Sequence, residues 1–194
     1  MKQNIVAEAY DQISGQYDRW YDTEDCQREN GMLARLLEGL EPPVLDLGCG
    51  TGLLLDLGVI GSRQYIGVDV SSGMLAQAAV KHPAARWILG DIEAIPLPDR
   101  SVRSVVSLFG AMSYSQDPAR ALSEIMRVIQ RSGMVFLMFR RPAHRQKASY
   151  IFHGSAMPMR YYELSDLFTL MEGHPTWEVT PFEDGDWIIT GRSE

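Results

Sequence analysis

Residues 44–52 read Val-Leu-Asp-Leu-Gly-Cys-Gly-Thr-Gly, a short apolar run that ends in three glycines on alternate positions. An apolar stretch this short, with Pro42-Pro43 before it and a glycine turn after it, fits a strand buried on both faces. Gly48, Gly50 and Gly52 remove side chains where the backbone must turn sharply and where a ligand can approach the main chain. In open α/β sheets, ligands bind beyond the carboxyl ends of the strands, where the strand order reverses. The loop after this first strand is therefore the first place to look for a site.

The downstream pattern supports that reading. Tyr65–Val68, Arg86–Leu89, Val102–Leu108 and Met134–Phe139 read as further strands. Helices are expected at Leu53–Leu57, at Ser72–Lys81 with Ser71 or Ser72 as cap, and at Pro118–Arg131. A helix at Glu163–Glu172 follows, then strands at Trp177–Phe182 and Trp187–Thr190 joined by Glu183-Asp184-Gly185, a turn that suits a hairpin. Strands separated by helices imply right-handed crossovers and a mostly parallel sheet with both faces covered. Ending such a sheet in an antiparallel hairpin departs from the commonest dinucleotide-binding arrangement.

Upstream, Ile5, Val6, Ala9, Tyr10, Ile13, Tyr17 and Trp20 suit an amphipathic helix, or two broken near Gly15. Met32, Leu33, Leu36 and Leu37 suit a helix over 27–39. With no internal repeat or Gly/Ser linker, the 194 residues read as one domain. It divides into amino-terminal helices (1–40), a core (42–139), and a loop with helix and hairpin (140–194). No apolar run approaches the roughly 20 residues that span a bilayer, and the polar start, Met1-Lys2-Gln3-Asn4, lacks a signal core. A cytoplasmic location and no membrane partner are expected. A net charge of −7 argues against a nucleic-acid surface. Arg140, Arg141, His144, Arg145 and Lys147 form a local basic exception. Cys26 and Cys49 do not make a disulfide framework.

Three acids narrow the ligand. A dinucleotide fingerprint would need its third glycine at position 53, where Leu53 stands. Asp46, at the end of the first strand, would repel a pyrophosphate but can hold an ammonium. Asp69 follows Gly50 by about 20 residues, the spacing that puts an acid at the tip of the second strand to accept ribose hydroxyls. Asp91 ends the third strand and can accept from an adenine amino group, with Ile92 against the ring. One ligand with an amino-acid end, a ribose and an adenine satisfies all three.

VLDLGCGTG, GVDVS, GDIEAIPLPDRSVRSVVSLFG and EIMRVIQRSGMVFLMF resemble the ordered motifs of class I S-adenosylmethionine-dependent methyltransferases, of the ubiquinone/menaquinone-biosynthesis and small-molecule type. The resemblance implies a Rossmann-like fold with a seven-stranded, mostly parallel sheet in the order 3-2-1-4-5-7-6, and S-adenosyl-L-methionine as cofactor. It implies that Asp46, Gly48, Cys49 and Gly50 line the methionine end. Asp69 would hold the ribose, with Val70 and Met74 against the adenine and Asp91 and Ile92 at the adenine edge. Leu108 and Phe109 would close the site, and residues 1–40 would form a lid.

Methyl transfer is an in-line displacement, so the protein mainly aligns the acceptor, and a hydroxyl or ammonium must also lose a proton. The expected acceptor is a small molecule methylated at a hydroxyl or amine. Paired metal-binding acids like those of catechol-type enzymes are missing after the fourth and fifth strands, so no metal is expected, and the Asn-Pro-Pro-Tyr signature of amino-methylating nucleic-acid enzymes is missing after the fourth. Candidate substrate-facing residues are Tyr114, which can orient a substrate or act as a weak base, then Tyr17 in the Tyr-Asp repeats (Tyr10-Asp11, Tyr17-Asp18, Tyr21-Asp22). His144 and His153 are candidates for a general base, and the basic stretch from Arg140 for a substrate carboxylate or phosphate. Little chain lies between the fifth strand and the last helix. Substrate walls then come from the amino-terminal helices, residues 140–160, or a neighbouring subunit of a homodimer. Two other readings keep the cofactor pocket: a silent regulatory subunit, and an enzyme that uses the cofactor without methyl transfer.

Overall fold

The computed structural model describes residues 5–142, 159–183 and 185–193. Seven strands form one sheet: β1 Val44–Leu47, β2 Tyr65–Asp69, β3 Arg86–Leu89, β4 Val102–Ser107, β5 Ile129–Arg140, β6 Glu178–Phe182 and β7 Asp186–Arg192. Their order is β3-β2-β1-β4-β5-β7-β6. The first five run parallel, and β7 pairs antiparallel with both β5 and β6. The fold expected from the motifs is the fold observed. The order reverses between β2-β1 and β4, so a crevice opens at the carboxyl ends of β1 and β4.

Among the described residues, seven α-helices flank the sheet: α1 Ile5–Ile13, α2 Tyr17–Trp20, α3 Glu24–Leu36, α4 Leu53–Asp56, α5 Ser72–Lys81, α6 Pro118–Val128 and α7 Leu164–Leu170. Strand residues alternate between two buried layers, as a period of two requires. Leu45, Leu47, Val105, Val135, Leu137 and Phe139 face the side covered by α6 and α7. Val44, Tyr65, Val106, Phe136 and Met138 face the side covered by α3, α4 and α5. That alternation puts Asp46 and Arg140 on the second side, each at the crevice end of its strand.

Several boundaries differ from the sequence expectation. The helix expected over 27–39 spans Glu24–Leu36, because the Thr23 side chain accepts from the Cys26 N–H and starts it three residues early. The helix expected to run to Arg131 stops at Val128, and β5 begins at Ile129, five residues before Met134. There the pairing with β4 shifts register between Val102 and Ser104, and Ser132 takes φ 60°. The segment Arg131-Ser132-Gly133 makes this irregular turn inside the strand.

Candidate active site

The crevice opens into a cavity of about 1250 Å³. Asp46, Gly48, Cys49, Gly50, Asp69, Val70, Met74, Asp91, Ile92, Leu108, Phe109, Tyr17 and Tyr114 all line it. His144 and His153, and with them Arg145 and Lys147, lie outside the described residues. Among the described residues, no group of three or more His, Cys, Asp or Glu could hold a metal ion. No helix among them is long and apolar enough to cross a membrane.

Backbone geometry sets the glycine loop. Gly48 has φ 71°, and a Cβ there would overlap that of Ala111, in the 3-10 turn Ala111–Tyr114 that follows β4. Gly50, at φ 54°, would point a Cβ into open space, with only the Met74 methyl near, at 3.8 Å. The bare backbone at Gly50 is thus a floor to the cavity.

Each acid is held differently. Asp46 is 3% exposed and accepts the Tyr65 hydroxyl at 2.8 Å. Burial raises its pKa to about 7; the Tyr65 hydrogen bond opposes the rise, and the Asp69 charge adds to it. Asp69 accepts from the backbone N–H of Gly50 and of Ser71, both at 2.8 Å. Burial raises its pKa too, against those backbone bonds. A carboxylate has about four acceptor sites, so these bonds fix its orientation without exhausting it. Asp91 accepts from the Glu93 N–H at 2.9 Å. The Cys49 thiol is buried and pushed up, so it stays neutral packing in the loop.

Above β4 and β5 the wall changes character. Tyr10, Tyr17 and Tyr21 come down from the α1–α2 segment to meet Tyr114. The Tyr10 hydroxyl donates to that of Tyr114 at 3.3 Å, and the ring centroids of Tyr17 and Tyr21 lie 4.7 Å apart. Burial raises the pKa of all four phenols. They are therefore protonated near neutrality, and the weak-base reading of Tyr114 has no support in its surroundings. Arg140 also faces this corner. Its Nη1 pairs with Asp186 Oδ2 at 2.7 Å and its Nη2 donates to the Phe109 carbonyl at 2.8 Å. Phe109 has φ 49°, which turns that carbonyl toward Arg140 as β4 ends.

Two carboxylates tie the amino-terminal helices across the crevice. Asp11 accepts from the Ser71 hydroxyl (2.6 Å) and the Gly73 N–H (2.7 Å) at the start of α5. Asp18 accepts from the Thr51 hydroxyl at 2.5 Å and pairs with Lys81 at 3.0 Å. Sequence reasoning missed Tyr65, Asp186 and Glu93. The Glu93 carboxylate accepts from the Ser115 hydroxyl and from the Gln116 and Asp117 N–H groups, joining the β3 loop to the start of α6. A signal for Tyr65 was present, since a polar-tipped aromatic opening a parallel strand needs a buried partner.

Residues 45–137 match the family described as methyltransferase domain. The chain is 33% identical over 130 residues to the malonyl-[acyl-carrier protein] O-methyltransferase of Pectobacterium atrosepticum, covering 67% of this chain and 51% of that protein. It is 33% identical over 127 residues to the demethylmenaquinone methyltransferase of Chlorobaculum tepidum, covering 63% and 52%. The chain thus spans about half the length of these relatives. A solved S-adenosylmethionine-dependent methyltransferase of Thermotoga maritima shares the fold at TM-score 0.76 and 18% identity, over 97% of this chain and 100% of that one. The chain belongs to the class I S-adenosylmethionine-dependent methyltransferases. S-adenosylmethionine is the cofactor of that family.

Proposed function

We propose that this chain transfers a methyl group from S-adenosylmethionine to an oxygen or nitrogen of a small molecule. The observation that carries the reading is one continuous cavity. It has Asp46, Asp69 and Asp91 at the tips of three adjacent strands, and a separate phenol- and arginine-lined wall beside them. The donor set suits the cofactor. Asp46, desolvated and held by a single side-chain bond, is matched to an ammonium. Asp69, oriented by two backbone N–H groups, is matched to a ribose diol, and Asp91 with Ile92 to an adenine edge. The open floor at Gly50 would be filled by any Cβ.

The cofactor, when bound, supplies an electrophilic methyl group on a sulfonium. The chain's own contribution is to hold that end of the cavity dry and fixed and to seat an acceptor against it. The α1–α2 segment, tied down by Asp11 and Asp18, is suited to exclude water from the crevice. Calorimetry with S-adenosylhomocysteine should show binding to the intact chain. Incubation with S-adenosylmethionine and an acceptor should release S-adenosylhomocysteine only when the acceptor is present. Release without methylated product would point instead to a non-methylating use of the same pocket, and binding without any release to a silent subunit.

A further inference from the structure

The loop that follows β3 carries Asp91, and it is anchored unevenly. β3 is an edge strand, paired with β2 alone. The chain leaves the sheet after the Gly90 N–H donates to the Asp69 carbonyl at 2.9 Å. At the far end of the loop, Ile95 and Leu97 are buried. There the Ile95 N–H donates to Glu124, and Arg127 donates to the Ile95 and Leu97 carbonyls, all at 2.8 Å. Residues 91–94 lie between these anchors, with Asp91 and Ala94 bridged to each other and Ile92 partly buried against the core. Among the described residues, every hydrogen bond from 91–94 to the rest of the chain is made by Glu93.

Glu93 Oε1 accepts from the Ser115 hydroxyl at 2.8 Å and from the Gln116 and Asp117 N–H groups at 2.6 and 3.0 Å. Its carbonyl accepts from Arg120 Nε at 2.8 Å. Ser115 is 5% exposed, so its hydroxyl needs a partner inside the protein, and Glu93 is that partner. Arg120 is exposed, and holding so long a side chain costs rotamer freedom, so its bond is the looser tie. The carboxylate is thus the main fixture of the Glu93 backbone. That backbone in turn orients Asp91, whose Oδ1 accepts from the Glu93 N–H at 2.9 Å. Oδ2 of Asp91 has no partner among the described residues, and Asp91, Ile92 and Glu93 all line the cavity. With Oδ1 engaged by its own loop, Oδ2 is the oxygen left to a ligand.

We propose that Glu93 is a positioning residue for recognition of the adenine amino group; this rests on the cofactor seating proposed above. By tying its backbone to the turn after Tyr114 and to the start of α6, Glu93 holds the Asp91 carboxylate where Oδ2 accepts from that amino group. Without the Glu93 carboxylate, Asp91 is still present but its carboxylate is no longer held in one place. Recognition of the amino group then fades. Recognition of the ribose does not, because Asp69 is oriented by Gly50 and Ser71, which lie outside this loop. The fold around Glu93 has its own support. α6 begins with Pro118 and is capped by the Asp117 side chain, which accepts from the Arg120 N–H at 3.0 Å. Gln116 and Asp117 are exposed, so water can take over the N–H groups that Glu93 gives up.

The test is calorimetry on the full chain with three ligands: S-adenosylhomocysteine, its analogue with hydrogen in place of the adenine amino group, and its 2′-deoxy analogue. The parent should bind S-adenosylhomocysteine about 10- to 100-fold tighter than the analogue without the amino group, the range of one hydrogen bond to a charged group. Glu93→Ala should bring those two affinities within about threefold of each other. Its preference over the 2′-deoxy analogue should stay at the parent's value, which general loosening of the site would not allow. Glu93→Gln keeps an acceptor oxygen for Ser115 and loses the charge, so its preference for the amino group should fall between those of the parent and Glu93→Ala. It decides the matter if the alanine variant does not fold. A parent indifferent to the amino group, a folded variant at position 93 with the parent's preference, or a variant that loses both preferences alike would each overturn the proposal and leave the methyltransferase reading intact. Failure of S-adenosylhomocysteine itself to bind the parent would overturn that reading, and the proposal with it.

Discussion

The two halves of the cavity are built in opposite ways. At the tips of β1, β2 and β3, each acid is fixed by groups from its own loop or the adjoining strand: Asp46 by Tyr65, Asp69 by Gly50 and Ser71, Asp91 by Glu93. At the tips of β4 and β5 the partners come from far along the chain. Tyr10 meets Tyr114 across 104 residues, and Arg140 meets Asp186 across 46. The first half is set once the parallel strands pair. The second is complete only when the hairpin has docked on β5 and the α1–α2 segment has closed over the crevice. Binding chemistry common to a family can live in the first half, while the second is free to vary with the acceptor.

Substitutions in the glycine loop should break the first half most severely. Gly48→Ala places a Cβ at φ 71° and against Ala111. Left-handed strain and overpacking together should lower unfolding free energy by about 3 kcal/mol, read by denaturant titration. Adding Ala111→Gly should recover the packing part but not the backbone part. An unchanged midpoint in the single variant would show that the loop does not need this turn. Asp69→Ala should leave folding intact and weaken S-adenosylhomocysteine by about 10- to 100-fold, the range of a hydrogen bond to a charged group. Calorimetry showing equal affinity would remove Asp69 from the ligand.

That contrast also explains what could be read without coordinates. The strand positions, the terminal hairpin and an α5 cap at Ser71 or Ser72 were legible because each rests on local pattern: apolar period, turn chemistry, an N-cap serine; the strand order came from the family resemblance. The three acids were legible for the same reason, since each stands at the end of a short apolar run. The acceptor wall was not. Tyr17 and Tyr114 could be named as candidates, but only packing shows that Tyr10 and Tyr21 complete the cluster. Arg140 read as part of a basic loop, yet it ends β5 and is locked to a buried Asp186. The end of α6 was missed because the register shift at Val102–Ser104 starts β5 early, and nothing in hydrophobic period announces such a shift.

The acid half makes a pH-dependent claim that the phenol half does not. Burial raises Asp46 from 3.8 to about 7 in the free protein, and a bound ammonium favours its ionised form. S-adenosylhomocysteine affinity should therefore be flat above pH 7 and fall by about tenfold per unit below it, as a proton must first be lost. The stability of the cofactor-free chain has the opposite sign. Between pH 3.8 and about 7 the folded state keeps a proton the unfolded chain has given up, so stability falls as pH rises through that window. Tyr65→Phe removes the bond that opposes the rise, so the affinity loss should begin at a higher pH. An affinity that stays flat from pH 5 to 8 would mean Asp46 does not meet the ammonium.

The smallest effect should come from the segment that joins the two halves. Asp18 in α2 holds Thr51 of the glycine loop and pairs with Lys81 of α5, with side-chain exposures of 49% and 29%. Lys81 also pairs with Asp56 at 2.6 Å, so it stays anchored when Asp18 changes. Asp18→Asn keeps an acceptor for Thr51 and removes only the charge. A pair this exposed is worth about 0.2–1 kcal/mol. If that energy holds the segment closed, S-adenosylhomocysteine release by stopped flow should speed up by about 1.4- to 5-fold. High salt should bring the parent toward the variant, because exposed pairs are screened. Equal release rates at low salt would show that Asp11, through Ser71 and Gly73, carries the closure alone, and would move the joint between the halves from α2 to α1.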